Sequence, residues 1–166
     1  MDENSPTKRP HLPTRRFVLG LGAVGVAGGG LAATRWFNVF AATDAETDLS
    51  AEAAYQMALD AEIYLVDIRR PDEWQRTGIA EPAIALDMRR NDFEAELQLL
   101  FDKQGARPVA LICARGVRSA RLMVRLERSG FTQILDVPEG MIGSGAGTGY
   151  LAKALPLREP SVDELG

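Results

Sequence analysis

From Leu49 onward, short uninterrupted apolar runs alternate with stretches whose apolar residues recur at helical spacing. Leu49 to Asp60 (LSAEAAYQMALD) contains a Ser50 cap and is rich in Ala, Met and Leu, which predicts a helix. Ile63 to Ile68 (IYLVDI) is a run of β-formers suited to a strand buried on both faces. Asn91 to Gln104 predicts a second helix, because Asn91 and Glu94 form a capping-box-like pair, Phe93, Leu97 and Leu100 share one face, and Gly105 follows as a stop. Pro108 to Cys113 (PVALIC) reads as a second buried strand. Val117 to Ser129 reads as a helix with Val117, Ala120, Met123 and Val124 inward and Gly130 at its end. Thr132 to Val137 (TQILDV) is a third strand, closed by Pro138. Strands separated by helices and short loops imply an α/β domain: a parallel sheet flanked by helices on both faces. Functional groups then belong at the carboxyl ends of the strands, where Asp67 and Cys113 stand.

The chain ahead of this pattern differs in kind. Met1 to Arg16 is polar and carries Lys8, Arg9, Arg15 and Arg16, whereas Phe17 to Ala33 has no charge and six glycines. A basic segment followed by an apolar one is the layout of a targeting signal. The join, TRRFVLG from Thr14 to Gly20, resembles the twin-arginine export signal, with Val18 and Leu19 at its apolar positions. A membrane anchor through residues 17 to 33 is the competing reading, since that stretch approaches the length of a span. Its glycines argue against a stable span and against a buried helix, each being about 1 kcal/mol less favourable than alanine in a helix. Val39-Phe40-Ala41 offers a small-residue cleavage site, with Ala42 nearly as good a terminus. The expectation is export to the periplasm by the twin-arginine machinery, cleaved or held at the membrane by residues 17 to 33, with residues 1 to 41 outside the folded domain.

Composition narrows the chemistry. The chain has 166 residues, 46% apolar and 25% charged, as one ordinary globular domain has. Without residues 1 to 41 it keeps 14 basic against 21 acidic residues, a net charge near −7, which disfavours a nucleic-acid partner. Cys113 is the single cysteine and His11 the single histidine. An intramolecular disulfide, a zinc site of cysteines and histidines and a c-type haem therefore lack ligands. Because His11 lies ahead of the domain, Cys113 works without an imidazole partner.

The stretch CARGVRS, Cys113 to Ser119, lies between a buried strand and a helix. A loop curling from a strand into a helix N-terminus directs successive backbone N–H groups toward one point, an anion cradle reinforced by the helix dipole. Gly116 permits the curl. A cysteine in that position, flanked by Arg115 and Arg118, is expected to be a thiolate at neutral pH. The plain alternative is an inert core cysteine ending an apolar strand.

These residues resemble the rhodanese family of sulfurtransferases over most of the chain after residue 41. LVDIRRPDEW (Leu65 to Trp74) is similar to the family's first signature: an aspartate at a strand end, x-Arg, then Pro and an acidic pair opening a helix. CARGVRS is similar to its six-residue active-site loop followed by a helix-starting Ser, and GFTQILDVPEG (Gly130 to Gly140) to its final strand and loop. YLAKALPL (Tyr150 to Leu157) is similar to its aromatic, Leu and Pro ending. Arg76-Thr77-Gly78-Ile79 departs from the common Gly-His-Ile, and Tyr150 replaces a frequent Trp. The resemblance implies a rhodanese-like domain over residues 42 to 158, followed by a tail from 159 to 166. It implies a persulfide relay in which Cys113 takes sulfur from a small anionic donor such as thiosulfate and passes it to a thiol or cyanide. Ala114, Arg115, Gly116, Val117 and Arg118 would hold the substrate, with Asp67, Arg69 and Ser119 in support, and no cofactor or metal is required.

Other features carry weaker expectations. Asp67 and Arg69 fit loop support and an ordinary strand-end salt bridge equally well. Arg121, Arg125 and Arg128 continue the face of Arg118 as a solvated stripe, and Trp74 reads as a core or edge anchor. Gly143 to Gly149 lacks a nucleotide-loop register and reads as a flexible segment bordering the site. Two further classes stay open: a related phosphatase or arsenate reductase, and a non-catalytic module that carries sulfur or binds a partner. Phosphatases of the related class resemble C-x-x-x-x-x-R, but that arginine would fall on Ser119, with Arg118 one residue early.

Overall fold

A computed structural model of the protein describes residues 47–102 and 107–165. Residues 1 to 41, with Arg15, Arg16, the 17 to 33 stretch and the Ala41 site, lie outside the described residues, as does Gly105. Among the described residues no helix is long and apolar enough to cross a membrane. The elements run α1 (Ala51–Leu59), β1 (Tyr64–Asp67), α2 (Pro71–Thr77), β2 (Ile79–Ala80), β3 (Ile84–Ala85), α3 (Phe93–Asp102), β4 (Val109–Ile112), α4 (Val117–Arg128), β5 (Ile134–Asp136), β6 (Leu157–Arg158) and α5 (Val162–Leu165).

Strands β3, β1, β4 and β5 form a parallel sheet in that order, with Leu65 opposite Ala110 and Ala110 opposite Leu135. Beyond β5 the chain at 47–49 extends the edge: Asp48 bridges Asp136, the Leu49 N–H donates to the Asp136 carbonyl at 2.8 Å, and the Asp136 N–H donates to the Thr47 carbonyl at 2.9 Å. Side chains alternate across the pleat. Leu65, Ala110 and Ile112 face α1 and pack with Ala51, Ala54, Trp74 and Tyr150. Val66, Leu111 and Cys113 face the other way, onto Phe93, Leu97 and Leu100 of α3 and Leu122 and Leu126 of α4. Helices thus cover both faces, as a two-sided apolar sheet requires.

Two helices depart from the sequence expectation. α4 buries Ser119, Leu122 and Leu126 instead of Val117, Ala120, Met123 and Val124, the last of which is 41% exposed. A serine at the head of the inward face hides the apolar period, and it is tolerated there because its hydroxyl donates to the Gly116 carbonyl at 3.1 Å. α3 opens at Phe93, not Asn91, because the Phe93 and Glu96 N–H groups bond the Arg90 and Asp92 carbonyls, and Arg90 clasps Asp92 through two hydrogen bonds of 2.8 and 2.7 Å. Glu94 faces Arg125 at 3.5 Å in place of a capping partner. The Ser50 cap on α1 does form, accepting from the Ala53 N–H at 3.1 Å.

A small antiparallel pair, β2 with β6, closes the structure beside α2. Residues 159–165 carry α5, and Glu164 takes the Arg158 guanidinium in a two-point pair of 2.9 and 2.7 Å. The Arg158 bond, helped by the Ser161 N–H, lowers the Glu164 carboxyl to about 2 against the opposing push of burial.

Where β1 ends, Asp67 and Arg69 are 0% and 1% exposed. The Arg69 Nε and Nη2 donate to Asp67 at 2.9 and 2.7 Å, while Nη1 reaches the Thr77 hydroxyl and Nη2 the Gly78 carbonyl, both at 2.7 Å. One guanidinium therefore joins the end of β1 to the end of α2. Removing it strands a buried charge, which costs about 3–5 kcal/mol in comparable pairs. Arg69→Ala is expected to lower unfolding stability by that order in urea titration, with the denaturant slope unchanged.

Candidate active site

The site is built where β4 runs out. The residue that follows the strand, Cys113, is 1% exposed and packs with the α3 and α4 face of the sheet. The chain then turns through Ala114, Arg115 and Gly116 and enters α4 at Val117. Gly116 caps that helix with φ 76°, a left-handed conformation that glycine adopts without strain.

A second stretch of backbone holds the loop from behind. The Met141 N–H donates to the Cys113 carbonyl and the Ile142 N–H to the Ala114 carbonyl, each at 2.9 Å. In a trans peptide the carbonyl and the following N–H point opposite ways. Anchoring those carbonyls therefore turns the Ala114 and Arg115 N–H groups away from residues 141 and 142. The first helical N–H groups of α4 precede the earliest intrahelical bond, from Ala120 to Gly116, and add to the donors at the turn. The expected cradle is a consequence of this clamp. It requires Gly140: a Cβ there would lie 2.6 Å from the Ala114 carbonyl carbon and oxygen, at a φ of +65°.

Glu139, unremarked in the sequence, fastens the clamp. Its buried carboxylate accepts from the Ala51 N–H at 3.2 Å, the Gly149 N–H at 3.1 Å and Lys153 Nζ at 2.7 Å. The 143 to 149 segment, expected to be flexible, is a bonded turn: the Ser144 hydroxyl donates to the Pro138 carbonyl at 2.7 Å and the Ser144 N–H to the Gly147 carbonyl at 2.9 Å. With Arg115, Ile142 and Ala152 it walls an open cleft of about 1050 Å³.

The loop arginines differ in occupation. Arg115 is exposed and lines the cleft. Arg118 gives both Nη groups to Glu73 of α2, at 2.7 and 2.6 Å. That two-point bond holds Arg118 above its ordinary pKa, with a smaller push from Cys113 beside it. Burial pushes the Glu73 carboxyl up, but Arg118 and the Arg70 N–H outweigh it and leave Glu73 below the usual carboxylate range. Glu73 is thus a site residue that sequence spacing missed, since its partner lies 45 positions away. The visible signal was its place in the acidic pair that opens α2.

The Ser119 hydroxyl lies 3.5 Å from Cys113 Sγ, within bonding reach of sulfur. Asp136, at the end of β5, stands behind it. Burial raises its carboxyl to about 7, the Ser119 hydroxyl pulls it down, and Asp48 pushes it up. Asp136 ends an apolar run just as Asp67 does, and that parallel was the signal for it. Ala114, Arg115, Gly116, Val117, Arg118 and Ser119 share the loop and helix start with Cys113. Asp67 and Arg69 belong to the neighbouring strand end, where the Ile68 N–H bonds the Ile112 carbonyl at 3.0 Å.

Solved structures share this architecture. The solution structure of a polysulfide-sulfur transferase homodimer from Wolinella succinogenes matches at 26% identity over 81% of this chain and 94% of its own, with a TM-score of 0.56. A crystal structure of a rhodanese-related protein from Thermoplasma volcanium matches at 20% identity over 69% and 99%, TM-score 0.50. A protein from M. tuberculosis matches at 23% over 68% and 97%, TM-score 0.52. No curated protein matches the chain. The profile of the rhodanese-like domain matches residues 50–143, from the Ser50 cap through the clamp behind Cys113, and on that match the chain belongs to the rhodanese-like domain family.

Proposed function

We propose that the protein is a sulfurtransferase that carries sulfane sulfur on Cys113. The observation that carries this reading is the placement of Cys113 at a turn whose carbonyls are anchored behind and whose N–H groups are turned forward, at the head of α4. The polysulfide-sulfur transferase named above supports it at family level. The Cys113 thiolate attacks the outer sulfur of an anionic donor such as thiosulfate; the new S–S bond forms as the donor's S–S bond breaks, and sulfite leaves with the bonding pair. An acceptor thiolate or cyanide then attacks the outer sulfur of the persulfide, and the Cys113 thiolate is regenerated. Donors at the turn stabilise the negative terminal sulfur, and Arg115 on the cleft wall attracts the anionic donor. We propose export by the twin-arginine route for the same chain, on the basis of Arg15 and Arg16 ahead of an uncharged stretch.

Intact-mass analysis after thiosulfate treatment is expected to show one added sulfur, removed by cyanide. Cys113→Ser is expected to abolish both loading and thiocyanate formation, because the chain has no second cysteine. Retained turnover would take Cys113 out of the mechanism, and efficient aryl phosphate hydrolysis without sulfur loading would replace sulfur chemistry with phosphoryl chemistry.

Arg115→Ala is expected to raise KM for thiosulfate about tenfold while changing KM for an uncharged sulfur donor little. Equal effects on both donors would assign Arg115 to loop shape alone.

Replacing Arg15 and Arg16 together by lysine is expected to leave the protein in the bacterial cytoplasm on cell fractionation, since a receptor reads the pair. Normal export of that form would point to another route.

A further inference from the structure

Composition alone would leave the cleft wall at 143–149 loose: four of its seven residues are glycines, and the others are Ser, Ala and Thr. Glycine gives up more backbone freedom on ordering than any other residue. Two anchors outside the turn hold it. The Ser144 hydroxyl donates to the Pro138 carbonyl at 2.7 Å, and the Gly149 N–H donates to Glu139 Oε2 at 3.1 Å. Gly147 lies against the same carboxylate, since a Cβ on it would stand 2.5 Å from Glu139 Cδ.

The carboxylate is itself fixed. Glu139 is 4% exposed, and its Oε1 accepts from the Ala51 N–H at 3.2 Å and from Lys153 Nζ at 2.7 Å, which leaves Oε2 turned to Gly149. Arg115 and the turn line the cleft, whereas Glu139 does not. Arg115 is also the one charged side chain of that lining among the described residues. An anion drawn in by Arg115 therefore meets a wall whose place is decided by a group it never touches. A site whose walls need no ordering on binding holds its ligand more tightly.

We propose that Glu139 is a positioning residue for the cleft: its carboxylate, by holding Gly149 and seating Gly147, keeps the 143–149 wall in place and so sets how tightly an anion is held beside the Cys113 loop. Glu139 makes no bond to substrate, and no proton moves. That the anion is a sulfur donor rests on the sulfur-transfer reading; the positioning role does not.

The test is Glu139→Gln in the full chain, read by alkylation of Cys113 with iodoacetate, an anion, and with iodoacetamide, its neutral counterpart, each followed by intact mass. Glutamine keeps the length of the side chain but has a single oxygen. With that oxygen on Ala51 and Lys153, its NH2 meets the Gly149 N–H, donor against donor. The iodoacetate-to-iodoacetamide rate ratio is expected to fall about three- to tenfold, the size of one hydrogen bond. Charge alone has the opposite sign, because removing a buried negative charge favours the anion, so a raised ratio would overturn the proposal. An unchanged ratio overturns it too, since a general loosening of the fold moves both rates together. Should Glu139→Gln fail to fold, Gly147→Ala decides: it alters no charge and its Cβ drives wall and carboxylate apart, so the ratio must again fall, and a constant one sinks the idea. With thiosulfate and cyanide as substrates, Glu139→Gln is expected to raise KM for thiosulfate about three- to tenfold and to change kcat less than about twofold; a loss confined to kcat counts against the role. Because alkylation needs no sulfur donor, a fallen ratio in a protein that takes up no sulfur from thiosulfate would uphold the positioning role while overturning the sulfur-transfer reading.

Discussion

Two segments of backbone must touch for this site to exist. The loop after Cys113 has no regular structure before α4, and residues 140 to 142 hold it by two hydrogen bonds across a contact with no room for a side-chain carbon. Because peptide groups are rigid and planar, fixing the carbonyls fixes the N–H groups. The forward-turned N–H groups are therefore a property of a crossing of two backbone segments and not of the loop alone. Glu139 extends the dependence to α1 and to the turn at 143 to 149, so that strand, helix and cleft wall meet at one carboxylate.

Charge is arranged in graded degrees of commitment. Arg69 is wholly enclosed with Asp67 and serves the joint between β1 and α2. Arg118 is tied to Glu73 yet remains beside the thiol, so its field acts on Cys113 while its hydrogen bonds are made elsewhere. Arg115 alone among the loop cations lines the open cleft. Identical side chains thus brace a joint, act on the thiol or line the cleft according to how far each is removed from water.

Three of the four strands of the parallel sheet, Cys113 at a strand end and helices on both sheet faces were legible from the sequence, because period and punctuation report local backbone and burial directly, whereas the two-residue strands β2, β3 and β6 are too short to show a period. Pairings across long separations were not. Nothing in the spacing of Glu73 and Arg118 says that they meet, and the clamp by Met141 and Ile142 is made by backbone groups every residue possesses. The inward face of α4 is hidden in the sequence because Ser119 occupies its head, a polar residue whose burial is intelligible only with Gly116 and Cys113 beside it. Asp136 is hidden for the same reason. A carboxyl in an apolar run looks like a strand end until its neighbours are known.

The pairing of β2 with β6 has a bearing on solubility. Ile79 and Ala80 are buried residues of a short strand whose ladder partner is the segment at Leu157 and Arg158, held down by the Arg158 guanidinium on Glu164 and on the Ala83 carbonyl at 2.9 Å. An uncovered strand edge is a template for another chain. Residues 157–165 thereby act as a cover strip: their detachment would leave the backbone edge of Ile79 and Ala80 without its ladder partner and open to another strand.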